Sequence, residues 1–397
     1  MISPGLPQAS RRARRCASLL EAAWAHGWLP RPSLAEVGKQ AAGLVCAHGM
    51  QPAWHQALVR LIDSLEHEAC LNPIGVTFAS VQLNGLLRQR ERAQALWQAH
   101  AEIAAIKLPQ PVIVLGHMRS GTTRLQRLLG CDPRFNHTRF FEVMEPLPPP
   151  RIDWRPMRSW AKLKALDWLN PELQAIHPTS PRAVEEVFGL LSLSFYGAQL
   201  EAQWHVPGFA EWWEGQDRTW VYREFRQWLQ TIAWQRGDPA LPFVLKAPQF
   251  LEDLEPLLTV FPEARLVCLE RDPLEVVGSS ASLVWNQMKL QTERLDPHWV
   301  GAEWLRKTVR RERIAHQVRD ASPHVPAIVI DFEAMNRDWR GEIRRLYAFL
   351  DLELSAPVEQ AMAGYLQQAE RSGFRHHRYR LDHFGLDAER VRTALGR

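Results

Sequence analysis

Between residues 12 and 105 apolar positions recur at helical spacing, as in Leu58, Leu61, Ile62 and Leu65 ahead of the turn Asn72-Pro73. No Gly/Pro-bounded β-branched run interrupts them, so this stretch reads as helical. At Pro111 the texture changes. Short apolar runs, VIVL at 112–115, FVLK at 243–246, RLVCL at 265–269 and AIVI at 327–330, alternate with helical patterns. That alternation predicts a parallel sheet flanked by helices. The fold class is therefore α/β, with a helical N-terminal subdomain over 1–108 and an α/β domain over 109–397. A long helical insertion, about 146–240, opens on the PLPPP run and carries Trp204, Trp212, Trp213, Trp220, Trp228 and Trp234. These rings suit an aromatic lid or acceptor pocket, but large aromatics at helix spacing more often fill a core or a subdomain interface.

With 397 residues, 46% of them hydrophobic, the chain can bury one large core or two modest ones. A formal charge of +4 is too small to indicate nucleic acid or another polyanion, yet it suits local binding of an anionic small molecule. The cysteines, Cys16, Cys46, Cys70, Cys131 and Cys268, form no C-x-x-C pair and fit reduced thiols in a cytoplasmic protein. A basic run from Arg11 to Arg15 precedes SLLEAAWAHGWL, where Glu21 and His26 interrupt an apolar stretch that is short for a membrane span. It reads as a soluble helix, with no integral membrane segment.

The chemistry concentrates in PVIVLGHMRSGTTRLQRLLG, residues 111–130: an apolar strand, a turn bounded by Gly116 and Gly121, and hydroxyls opening an amphipathic helix. Glycine allows close backbone approach, and the free amides around Thr122 and Thr123 face whatever anion sits there, best of all a phosphate. The glycine spacing matches the first half of the phosphate loop G-x-x-x-x-G-K-[ST], but Thr122 stands where that loop has lysine. This argues against ATP hydrolysis or kinase chemistry, and Arg119 supplies the cation. A second strand-turn-helix, RLVCLERDPLEVVGSSASLVW at 265–285, ends its strand at Arg271. Pro273 suits a first helical turn, and Ser279 and Ser280 follow about two turns later, able to converge with Arg271 on one anion. The competing reading pairs Arg271 with Asp272 or Glu275 and leaves the serines on an exposed face.

The R-S-G-T-T loop resembles the 5′-phosphosulfate loop of sulfotransferases that use 3′-phosphoadenosine 5′-phosphosulfate (PAPS). Likewise R-D-P-x-x-V-x-x-S resembles their 3′-phosphate site, matched here by Arg271 and Ser279. The resemblance implies a P-loop-like fold, PAPS as sulfuryl donor without a metal, and Gly116, Arg119, Ser120, Gly121, Thr122, Thr123, Arg271 and Ser279 as cofactor-binding residues. FVLKAPQFLEDLEPLLTVFPEARLV resembles the K-x-P segment of bacterial and tyrosylprotein sulfotransferases. Lys246 then stabilises the leaving phosphate together with Arg119, because an ammonium beside the bridging oxygen favours the transition state. Glu142 sits where these families place a catalytic glutamate, with Glu145 and His137 as other bases for the acceptor hydroxyl or amine. His177 and Glu185-Glu186 lie where bacterial relatives show an H-P…E-x pattern. Their residue types also fit a helix start capped by Thr179 or Ser180, the reading preferred here. Phe250 replaces a histidine common in bacterial relatives, and Phe332 a tyrosine. The ending RSGFRHHRYRLDHFGLD resembles H-x-Y-x-L-x-x-F-G-L, and its cluster Arg375, His376, His377 and Arg378 would close over the cofactor or lie solvated.

Two other readings remain at this stage. A nucleotide kinase would use Asp272 or Asp331 to hold magnesium, and a catalytically silent nucleotide-binding protein would account for Phe250 and Phe332. The tryptophan-rich insertion favours a hydrophobic or aromatic small-molecule or lipid acceptor over a polysaccharide, which would need a longer basic groove.

Overall fold

In a computed structural model, residues 6, 8–46, 52–176, 178–238, 240–371 and 379–396 are described. Five parallel strands form one sheet: β1 (Val112–Leu115), β2 (Asn136–His137), β3 (Phe243–Lys246), β4 (Arg265–Glu270) and β5 (Ala327–Asp331), in the order β2-β3-β1-β4-β5. The four apolar runs read from the sequence are four of these strands. Register sets Val114 opposite Lys246 on one side and opposite Val267 on the other. Because the strands are parallel, the loops that follow β1, β3 and β4 all emerge at one edge of the sheet.

Strand side chains alternate between two buried faces, as a sheet covered on both sides requires. Ile113, Leu115, Leu245, Leu266 and Cys268 join a large core with the helices Leu34–Cys46, Ala53–His67 and Pro73–Ala99. Asn72 caps the last of these, its side chain accepting from Gly75 N–H, and Pro73 follows in the first turn, where its missing N–H costs nothing. Val112, Val114, Val244, Val267 and Leu269 pack on the opposite face, against the helix Thr122–Leu129 and the helix Trp339–Phe349. The later part of the insertion, residues 187–233, packs into the large core rather than forming a lid. Trp204, Trp213 and Trp228 are fully buried, Trp228 lies 4.8 Å from the Trp97 ring, and Trp213 stacks on Tyr196 at 4.1 Å. Among the described residues no helix is long and apolar enough to cross a membrane.

The stretch after His177 departs from expectation. Instead of starting a helix at Thr179 or Ser180, residues 181–187 run as turns and extended chain, and the next helix is Phe188–Ser192. Val184 bridges Arg139 in antiparallel fashion, Glu185 N–H donates to Thr138 O at 2.9 Å, and Val187 N–H donates to Lys246 O at 3.2 Å. The segment thus satisfies its backbone on the ends of β2 and β3, which carries Glu185 and Glu186 to the loop edge.

Candidate active site

Gly121 has φ 90°, and a Cβ there would meet the Phe332 ring at 2.6 Å, so only glycine fits the turn. At Gly116 an added Cβ would lie 2.6 Å from Thr122 Cγ2. Arg119 itself takes φ 68°, a sparsely populated conformation for a side chain of its size. Its guanidinium is held by two contacts, Nε donating to Ser279 Oγ at 3.1 Å and Nη1 to Ile176 O at 2.8 Å. Ser120 Oγ donates to His117 O at 2.7 Å. Leu125 N–H bonds Gly121 O at 3.2 Å, so the amides before it face outward from an open first helical turn.

The second motif meets the first. Arg271 Nη1 donates to Arg119 O at 2.5 Å, and its guanidinium lies 4.1 Å from the centre of the Phe332 ring. Nε also donates to Glu275 at 2.8 Å, so the expected i,i+4 pair exists together with the convergence on Arg119. Asp272 caps the helix Pro273–Met288 with Pro273 in its first turn, and Ser279 and Ser280 are buried rather than exposed. Burial, and then the charge of Arg271, pull the Arg119 pKa below the usual arginine value. The Arg119 guanidinium on Ser279 and the Arg271 guanidinium on the Arg119 carbonyl bring two positive charges to one corner, which favours an anion there. Tyr379 packs its ring where a Cβ on Gly278 would be and donates to Glu275 O at 3.0 Å, so the tail reaches this corner. Arg375, His376, His377 and Arg378 lie outside the described residues, as does His177.

Lys246 ends β3 with only 2% of its surface exposed. Its Nζ pairs with Glu186 Oε1 and donates to Thr123 Oγ1 at 3.3 Å, while Thr123 Oγ1 lies 3.4 Å from the same carboxylate oxygen. Burial lowers the Lys246 pKa, opposed by the Glu186 charge. The lysine therefore belongs to the loop's helix end, and Glu186, assigned from sequence to a helix start, is its carboxylate partner. The signal was the Glu185-Glu186 doublet itself; what was not legible was that its segment is extended.

Glu142 is placed elsewhere. Its two oxygens accept from Arg236 at 3.1 and 2.5 Å, and Oε2 also accepts from Arg139 N–H at 3.0 Å. Arg236 in turn binds Asn136 Oδ1 at 3.0 Å, and Asn136 pairs with Phe243, the first residue of β3, whereas Lys246 is the last. That offset is about 10 Å along the strand. Glu142 lines a 410 Å³ cleft with Arg139, Arg155, Arg182, Trp234 and Arg236, a set that contains none of Arg119, Thr123 and Lys246. Glu145 is spent on Arg158 and Lys162.

His137 is a poor base for another reason. Burial, reinforced by Arg236 and Arg139, pushes its pKa down to about 4, and Nδ1 is buried with no hydrogen-bond partner among the described residues. The unfolded chain takes up a proton near the ordinary histidine value that the folded chain refuses. Stability is thus complete above about pH 6.5 and drains toward pH 4, by up to about 3 kcal/mol. Urea unfolding at pH 7 and 4.5 should show a smaller loss for His137→Phe than for the parent; equal losses would contradict this.

Asp272 and Asp331 cap helices by accepting from Leu274 N–H at 2.9 Å and Ala334 N–H at 2.7 Å, so neither carboxylate is poised as the kinase reading requires. Phe250 is fully buried against Tyr222 and Phe225 and faces the core. Phe332 does at the site what a ring alone can do: it covers Arg271 and fills the space beside Gly121.

A glycine-bounded anion loop, joined to a second arginine-serine motif on a parallel sheet, defines a P-loop-like sulfotransferase fold. Residues 111–356 match the sulfotransferase family, and the chain belongs to it. It is 25% identical over 320 residues, 76% of each chain, to the omega-hydroxy-beta-dihydromenaquinone-9 sulfotransferase Stf3 of Mycobacterium bovis and, equally, to that of Mycobacterium tuberculosis. Among solved structures, sulfotransferase STF1 of Mycobacterium tuberculosis H37Rv is 26% identical with a TM-score of 0.74, covering 92% of this chain and 98% of that one. Sulfotransferase STF9 of Mycobacterium avium has the same fold, with 24% identity, a TM-score of 0.77, and 92% and 95% coverage.

Proposed function

We propose that this sulfotransferase moves the sulfuryl group of PAPS to a hydroxyl on a lipophilic small molecule. The observation that carries the reading is the meeting of Arg119 and Arg271, from motifs 152 residues apart, beside the buried Ser279. Arg271 with Ser279 suits one phosphate, while Arg119 and the open amides at Thr122 and Thr123, with Lys246 behind them, suit another. A donor phosphorylated at both 3′ and 5′ positions satisfies both; ATP does not. The tight turn at Gly121, where a Cβ would collide with the Phe332 ring that covers Arg271, fits that assignment. The family relative named for an omega-hydroxy dihydromenaquinone supports a lipid-like alcohol as acceptor.

When bound, PAPS supplies an activated sulfur whose bond to the 5′-phosphate oxygen breaks as the acceptor oxygen attacks. Gly116, Ser120, Gly121, Thr122 and Thr123 shape the loop that orients the 5′ end, and Arg271 and Ser279 hold the 3′ end. Arg119 and Lys246 meet the charge that develops on the departing phosphate. The acceptor's proton goes to a carboxylate. Glu186 is preferred over Glu142 because it already touches Lys246 and Thr123, whereas both oxygens of Glu142 are occupied by Arg236. A turn of the Lys246 ammonium from Glu186 to hydrogen-bond the leaving oxygen would free the Glu186 carboxylate to take the acceptor's proton.

Transfer of labelled sulfate to a long-chain isoprenoid alcohol tests the assignment. Glu186→Gln should lower kcat by roughly a hundredfold or more with the acceptor KM little changed, as expected for loss of a general base. Glu142→Gln should leave kcat within a few-fold and lower the melting temperature, since Arg236 loses its anion. The reverse pattern would return the base to Glu142.

A further inference from the structure

We propose that the protein docks on anionic membrane surfaces through the outer faces of the helices Arg11–Ala25 and Arg155–Leu169, an inference that rests on the lipophilic-acceptor reading. On the second helix Met157, Trp160, Lys164 and Trp168 follow one another at helical spacing along the solvent side. Trp160 and Trp168 are each 51% exposed and Met157 56%, and Trp154 and Ile152 just ahead are also more than half exposed. The same helix buries Arg155, Ser159 and Leu169. It thus hides an arginine and shows water its tryptophans, the inverse of an ordinary surface helix.

The neighbouring helix adds charge. Arg11, Arg12, Arg14 and Arg15 are exposed and form no ion pair among the described residues, and Leu19 is 64% exposed beyond them. The two helices share one surface. Arg12 lies 5.8 Å from the Trp168 ring, Ser10 Oγ donates to Leu169 O at 2.7 Å, and Leu20 and Leu166 pack on the cluster of Ala13 and Leu169. Of the acids here, Glu145 neutralises Arg158 and Lys162 and Asp153 pairs with Arg155, so Glu21 and Asp167 on the two helices are set against these four exposed arginines.

Tryptophan beside unpaired arginine is the chemistry of a bilayer interface, where indoles sit at headgroup depth and guanidiniums meet anionic lipid. A second copy of the chain fits less well, because a two-fold contact would bring the same arginines against each other. The face is also close to the chemistry. The Arg155–Leu169 helix passes through Asn170 into the helix Pro171–Ile176, whose Ile176 carbonyl holds Arg119. Glu172 of that short helix binds Asn286 at 2.8 Å and Lys289 at 2.5 Å on the segment that follows Ser279. A membrane-borne alcohol would enter beside the loop without leaving the lipid.

Co-sedimentation with phosphatidylcholine vesicles, with and without about one third phosphatidylglycerol, tests the proposal. The parent should bind the anionic vesicles at least about tenfold more tightly than the neutral ones. Trp160→Ala with Trp168→Ala, and separately Arg11→Glu, Arg12→Glu and Arg15→Glu together, should each lower that binding by about tenfold or more. Affinity for adenosine 3′,5′-bisphosphate, measured on the same preparations, should not move. Equal binding to both vesicle types, no vesicle binding, or variants that bind as the parent does would overturn the proposal. So would a concentration-dependent dimer that the tryptophan substitutions abolish, which would assign the face to self-association. Failure of the bisphosphate to bind the parent would instead strike the donor assignment and leave the vesicle result standing.

Discussion

Lys246→Ala is expected to lower kcat by roughly 10² to 10³-fold, or about 3 to 4 kcal/mol of transition-state stabilisation, while the donor's dissociation constant changes far less. Charge on the leaving oxygen grows only as the sulfur bond breaks, so an ammonium aimed there acts chiefly on kcat. A complication follows from the fold. Lys246 is buried against Glu186, and removing it alone strands a carboxylate beside Thr123, a change that costs several kcal/mol in other buried pairs. The double variant Lys246→Ala, Glu186→Gln removes both charges. It should recover most of the lost melting temperature and none of the activity. Recovery of activity along with stability would mean that the lysine serves the fold and not the reaction.

Arg271→Ala is expected to weaken adenosine 3′,5′-bisphosphate by roughly 10 to 100-fold, as the loss of a charge-assisted contact to phosphate predicts. Its effect on adenosine 5′-phosphate, which has no 3′ anion, should be only a few-fold. The contrast matters because Arg271 also holds the Arg119 carbonyl and stacks on Phe332, so general loosening of the loop would weaken both ligands alike. Isothermal titration of the two nucleotides against parent and variant separates specific loss from general loss. Parallel weakening of both would contradict a 3′-phosphate role.

Where a local pattern decides the structure, the chain was legible. VIVL and FVLK match β1 and β3 residue for residue, because short β-branched runs between turn residues have few other ways to bury themselves. β2 escaped notice: Asn136 and His137 carry no strand signal and are extended only because β3 lies beside them. The strand order was likewise set by pairing between distant segments. At the site, the glycine turn and the Arg271-Pro273-Ser279 spacing are written in nearby residues, and each forms a strand, turn and helix as its local pattern implies, although Ser279 bonds Arg119. The partner of Lys246 was not, since Glu186 reaches it through the backbone bonds that tie residues 184–187 to β2 and β3. Glu142 shows the converse. Its place along the chain matches the glutamate of the resembling families, but Arg236, 94 residues away, decides where its carboxylate is spent. The tryptophans of the insertion carried helix spacing, and that spacing correctly favoured a core over a lid.

Two anion sites gripping opposite ends of one nucleotide are the core of the proposed function, and a single titration tests them. Without added magnesium, adenosine 3′,5′-bisphosphate should bind at least about tenfold more tightly than ADP, since only the former places a phosphate at Arg271 as well as at the Gly116–Gly121 loop. Equal affinities, or tighter binding of ADP that depends on magnesium, would contradict it.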